Sequence, residues 1–168
     1  DHGKSWEAVY EREHPPGFRW VHGSFGTNGR MTEMQAVIGR IQLKRMESWH
    51  RIRSENANTI LDCCEQFSSL FRVPRPADYI EHAWYKSYVF VRTEVLADVW
   101  TRDRIIDEIN SRGVSCFQGS CSEVYLEKSF DGTGFRPKER LPVAKELGET
   151  SLMFLVHPTL TKKEIELT

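Results

Sequence analysis

From Thr32 onward, apolar residues recur at spacings of three and four: Met34, Val37/Ile38, Ile41, Met46, Trp49, Ile52, Ile60/Leu61, Cys64 and Phe67. That is the spacing of one helix face. No proline interrupts Thr32 to Ser69, so the pattern predicts one long or kinked helix, or two abutting ones. Thr32 followed by Gln35 fits a capping box, in which hydroxyl and amide satisfy backbone N–H groups that have no helical acceptor. Gly39 weakens the helix by roughly 1 kcal/mol against Ala and is expected to mark close packing, not a break. Pro74 and Pro76 cannot continue a helix, because proline lacks a donor and fixes φ. The pattern then changes. His82–Arg92 is rich in aromatic and β-branched residues and predicts a strand. Thr101–Gly113 predicts a short helix, capped by Thr101, ended by Gly113, with Ile105, Ile106 and Ile109 inward. "VSCF" predicts a second strand, and Gly119–Pro142 a loop punctuated by Gly132, Gly134, Pro137 and Pro142. "PVAKELGETSL" reads as helix, "LMFLVHP" as strand, and "TKKEIEL" as a last helix capped by Thr161. This order predicts an α/β or α+β domain, a small sheet covered on one face by helices and preceded by a long helix.

The chain has 168 residues, enough for one domain with a core. Apolar residues at 39% and charged residues at 28% are ordinary for a globular protein. A net charge of −1 gives no basic field for nucleic acid. No apolar run reaches the length of a membrane span, and no secretory signal pattern opens the chain. Cys63 and Cys64 are adjacent and ill placed for a disulfide, and the Cys116/Cys121 spacing lacks a second ligand pair for zinc. The four are expected to be reduced structural thiols in a cytoplasmic protein. The chain starts without Met and stops inside a predicted helix, as a piece of something larger would. Residues 1–25 are expected to be the remnant of a neighbouring domain and 26–168 the rest.

Candidate chemistry concentrates in "GTNGRMTEM", where Asn28 and Arg30 sit in a glycine-softened loop ahead of the long helix. Amide and guanidinium donors beside a helix N-terminus suit an anion, although a plain capped turn has the same composition. There is no HExxH, GxSxG, P-loop or GxGxxG pattern. His82 and His157 flank predicted strands and read as hydrogen-bonded structural histidines.

Three segments in order resemble the DegT/DnrJ/EryC1/StrS sugar aminotransferases: "NGRMTEMQAVIG" (Asn28–Gly39), "HAWYKSYVFV" (His82–Val91) and "LPVAKELGETSLMFLVHPTLT" (Leu141–Thr161). The opening "DHG" resembles the end of that family's large domain. The resemblance implies the C-terminal small domain of a fold-type I enzyme, with a small, mostly antiparallel sheet. It also implies a pyridoxal 5'-phosphate cofactor, and a homodimer that shares its cofactor sites across the interface. The implied reaction moves an amino group from glutamate to a nucleotide-linked keto-sugar, without nucleic acid, metal or membrane.

By the same resemblance, Asn28 corresponds to the residue that reaches the partner subunit's cofactor phosphate, and Arg30 lies near that interface. The Schiff-base lysine falls upstream of Asp1, so no catalytic residue is assigned, and the chain alone is expected to be inactive. A His-Tyr-Pro stretch common in the family is replaced here within "VSCFQGSCSEVY". Gln118, Ser120, Ser122 and Tyr125 are therefore candidates for sugar or nucleotide contact, together with Tyr85, since the histidine of the family's strand corresponds to Tyr85 or its neighbour. Two alternatives stay open at this point: a sugar dehydratase of the same family, and a non-catalytic interaction or regulatory module.

Overall fold

The computed structural model describes residues 3–13, 24–27 and 29–168. Asn28, with residues 1–2 and 14–23 of the segment expected to be a large-domain remnant, lies outside the described residues. Two compact units divide the chain, residues 1–45 and 46–168.

In the first unit a short helix, α1 (Trp6–Tyr10), is capped by Ser5. The long helix α2 runs from Glu33 to Glu65 and contributes to both units. Its expected capping box forms: Thr32 N–H donates to Gln35 Oε1 at 3.0 Å and Gln35 N–H to Thr32 Oγ1 at 3.3 Å. The helix is continuous through Gly39. The expected close packing at Gly39 is not found, since a Cβ there would meet nothing within 4 Å. Met34, Val37, Ile38, Ile41 and Met46 are exposed, which leaves the apolar stripe of this end of the helix bare among the described residues.

The helix ends four residues before Ser69. Gln66 and Phe67 donate back three residues, to Cys63 and Cys64, which tightens and stops it. Arg75 then returns to the last turns of α2, reaching Glu65 at 2.7 Å and Asn58 at 3.0 Å.

The second unit is built on a four-stranded antiparallel sheet in the order β1 (Phe71–Arg72), β2 (Ser87–Val91), β4 (Ser151–Phe154), β3 (Cys116–Phe117). The sequence pattern did not separate β1, whose two residues are too few to carry a period. The remaining helices are α3 (Arg102–Ser111), α4 (Pro142–Thr150) and α5 (Lys162–Leu167). Thr101 caps α3, and Thr161 with Glu164 forms a capping box on α5. Gly113, at φ +85°, ends α3 as expected of a residue free to turn left-handed.

Alternation along β2 buries Ser87, Val89 and Val91. With Leu152, Phe154 and Cys116, Val89 and Val91 meet Ala57, Ile60 and Leu61 of α2, Ile106 of α3 and Ile165 of α5 in the core. Arg72 and Phe90 pair in register on the opposite face. The Arg72 guanidinium lies 4.2 Å over the Phe90 ring and reaches Glu146 of α4 at 3.5 Å. So α4 serves the face that α2, α3 and α5 leave. Among the described residues no helix is long and apolar enough to cross a membrane.

Candidate functional site

The polar residues expected to touch substrate fall in two places. Gln118, Ser120 and Ser122 line one cleft of about 490 Å³, with Glu123, Arg140 and Glu149 on its other walls. The loop leaving β3 comes close to the sheet because Gly119 has φ +93°, and any Cβ there would strike the Tyr88 ring. The Tyr88 hydroxyl accepts the Ser120 N–H at 3.2 Å. Gly148 of α4 leaves room for the Ser122 hydroxyl. Ser151 Oγ donates to the Gln118 carbonyl at 2.6 Å and ties the loop's start to β4.

Tyr125 faces Glu123. Its hydroxyl donates to Glu123 Oε1 at 2.7 Å and accepts the Leu141 N–H at 2.9 Å. Arg140 Nε donates to the same Oε1 at 2.9 Å, and its Nη2 meets both Glu123 Oε2 and Glu149. Hydrogen bonds from Arg140 and then Tyr125 hold the Glu123 carboxyl down at about 2. Arg136 closes the far side of the loop, donating to the carbonyls of Tyr125, Leu126 and Glu127 at 2.8, 3.1 and 3.0 Å. This Glu123–Arg140–Tyr125 network escaped the sequence reading, because partners 17 residues apart in a glycine- and proline-rich loop carry no periodic signal. Chemically the cleft offers hydroxyls, an amide and carboxylates, with its guanidinium engaged by two carboxylates. Such a lining suits a hydroxyl-rich ligand better than a phosphate.

Tyr85 stands elsewhere. It precedes β2 at the sheet end where Ser87, Phe154 and Cys116 lie in register, whereas Gln118 follows the other end of β3. It is 75% exposed, with the Lys86 ammonium 5.4 Å from its ring centroid.

Arg30 is exposed. The α2 capping box occupies the N–H groups of Thr32 and Gln35, and the Arg30 guanidinium is a side-chain donor of the kind a phosphate takes. That donor fits the phosphate end of the expected cofactor. His82 and His157 are hydrogen-bonded, as expected: His82 Nδ1 accepts the Trp84 N–H at 3.1 Å, and His157 Nδ1 pairs with Thr159 Oγ1 at 2.7 Å. The four cysteines are unbridged, and burial pushes the Cys64 and Cys116 thiols up to about 11, where they stay protonated and unreactive.

The family model of the DegT/DnrJ/EryC1/StrS aminotransferases matches residues 4–167. The chain belongs to this family. Among curated relatives, a dTDP-3-amino-3,4,6-trideoxy-alpha-D-glucose transaminase of Streptomyces venezuelae is 27% identical over 146 residues, 87% of this chain and 36% of the relative. A solved aminotransferase from Psychrobacter cryohalolentis is 61% identical with a TM-score of 0.86, over 99% of this chain and 44% of that one. The GDP-4-keto-6-deoxy-D-mannose-3-dehydratase of E. coli, solved with bound hydrated PLP, shares the fold at TM-score 0.71 and 20% identity. The chain thus spans less than half the length of these proteins, as expected of a C-terminal portion of the family fold.

Proposed function

We propose that this chain is the C-terminal part of a pyridoxal-phosphate-dependent aminotransferase that moves an amino group from glutamate to a nucleotide-linked keto-sugar. The observation that carries the reading is the family match over 4–167, supported by 61% identity to a solved aminotransferase along 99% of the chain. In this reading residues 1–25 belong to the large cofactor domain and 26–168 to the long helix and small domain. The bare apolar stripe Met34–Val37–Ile38–Ile41 supports it, since such a surface calls for cover by another part of the protein.

When bound, the cofactor would supply the electron sink for amino transfer. The residues of this chain would bind and orient. Asn28 and Arg30 donate to the cofactor phosphate across a homodimer interface. Gln118, Ser120 and Ser122 meet hydroxyls of the sugar nucleotide. Glu123, Arg140 and Tyr125 keep that loop in place. The lysine that carries the cofactor belongs upstream, so this chain by itself is inactive. The pathway served is polysaccharide, lipopolysaccharide or amino-sugar assembly in the cytoplasm.

The test uses the full-length protein loaded with pyridoxal phosphate. Glutamate should convert the bound cofactor to its amine form, followed by absorbance. A nucleotide-linked keto-sugar should reverse the change and yield an amino sugar by mass spectrometry. A deoxygenated, unaminated product would assign the dehydratase reaction instead. Asn28→Ala should raise the cofactor dissociation constant about tenfold, the worth of one charge-assisted hydrogen bond. A full-length protein that binds no pyridoxal phosphate refutes the reading.

A further inference from the structure

Among the described residues Trp84 is the one non-glycine residue with positive φ, at +45°. A bulky residue is rarely found there, and it persists only where its surroundings fix it. Strand alternation makes the consequence legible. Ser87, Val89 and Val91 point into the core, so an extended chain running back from Ser87 would send Tyr85 inward as well and turn Trp84 outward. The opposite is observed: Trp84 is 9% exposed and part of the core, and Tyr85 is 75% exposed. The left-handed residue exchanges the two side chains.

Two residues one turn apart on α2 lock this exchange. Arg53 Nη1 donates to the carbonyls of Trp84, at 3.2 Å, and Tyr85, at 3.4 Å. His50 Nε2 lies 2.9 Å from the His82 carbonyl. His82 in turn accepts the Trp84 N–H at 3.1 Å, with its ring centroid 4.3 Å from that of Trp84.

We propose that Arg53 and His82 are positioning residues that hold Tyr85 outward against the sugar-nucleotide substrate. This rests on the aminotransferase reading above. The exposed phenol offers a flat apolar face and a hydroxyl to a hexose ring, and the Lys86 ammonium beside it suits the diphosphate. Arg53 acts through the carbonyls of Trp84 and Tyr85, and His82 through the N–H and ring of Trp84.

The experiment compares Tyr85→Ala, Arg53→Lys and the double variant in the full-length, cofactor-loaded enzyme. Tyr85→Ala should raise KM for the keto-sugar about tenfold, while cofactor conversion by the amino donor changes less than about twofold. Arg53→Lys keeps the charge but loses the planar fork, and should show the same split. The double variant should be no worse than Tyr85→Ala, because Arg53 acts through Tyr85. Amide exchange across residues 82–87 should quicken about tenfold in Arg53→Lys and stay unchanged in Tyr85→Ala.

The proposal is overturned if Arg53→Lys leaves the sugar KM unchanged, if donor and sugar steps fall together, or if the two penalties multiply. Unchanged exchange in Arg53→Lys overturns it too. An enzyme that accepts the amino donor but no nucleotide-linked keto-sugar overturns the functional reading, and the exchange measurement then decides the positioning.

Discussion

Leu61 and Ile38 sit on the same uninterrupted helix, yet Leu61 is 0% exposed and Ile38 is 57% exposed. Truncating each to alanine in the 168-residue chain should separate the two ends of α2 energetically. Leu61→Ala removes about three buried carbons, worth roughly 2.4 kcal/mol by transfer. The cavity left among Ala57, Ile60 and Val89 raises this to about 3 kcal/mol, within the range of buried leucine truncations. Ile38→Ala surrenders part of a half-covered side chain and gains roughly 0.4 kcal/mol of helix propensity, so its net effect should be near zero. In urea unfolding with a slope of about 2 kcal/mol/M, Leu61→Ala should lower the midpoint by about 1.5 M. Ile38→Ala should leave it in place, with the slope unchanged in both. If Ile38→Ala costs as much as Leu61→Ala in the isolated chain, the stripe is already covered and the reasoning fails. In the full-length protein the proposed function expects the opposite, a clear loss for Ile38→Ala as well.

Glu123 gives a pH prediction. Its carboxyl is held below its ordinary 4.5, at about 2, so its stabilising bonds to Arg140 and Tyr125 are intact above 4.5 and fade as pH falls toward 2. Acid titration of the wild type should destabilise the 118–142 loop in that window, read by Tyr125 fluorescence or amide exchange. Glu123→Gln should flatten that dependence, and an unchanged acid profile in the variant would refute the role. Ser87 Oγ is buried without a protein partner among the described residues. Ser87→Ala should therefore be neutral or stabilising by up to about 1 kcal/mol, and a loss of more than 1 kcal/mol in denaturant melts would show that the hydroxyl makes a bond worth keeping.

Much of the helical layout was legible because its signals are local. The Thr32–Gln35 and Thr161–Glu164 boxes, the Thr101 cap and the glycine stop at Gly113 each depend on residues within one turn of each other. The strand predicted over His82–Arg92 shortened to Ser87–Val91. Its composition stays β-like up to His82, whereas a non-local clamp from α2 bends the chain at Trp84. Of the candidate site, the sequence pointed to Gln118, Ser120 and Ser122, which the fold does gather in one cleft. It grouped Tyr85 and Tyr125 with them, but Tyr85 stands at the other end of the sheet and Tyr125 is bonded to Glu123.

By itself, then, the sequence determined the family, the long helix and the order of elements. Periodicity, caps and a signature string are all carried by neighbours along the chain. Only the tertiary structure decided which half of that helix is buried, which side chain the Trp84 turn exposes, and what holds the cleft loop. Those depend on groups that are not neighbours along the chain, such as Arg140 with Glu123, Arg53 with Tyr85 and Leu61 with Leu152, whose meeting is set by packing and hydrogen-bond geometry and leaves no periodic trace in the chain.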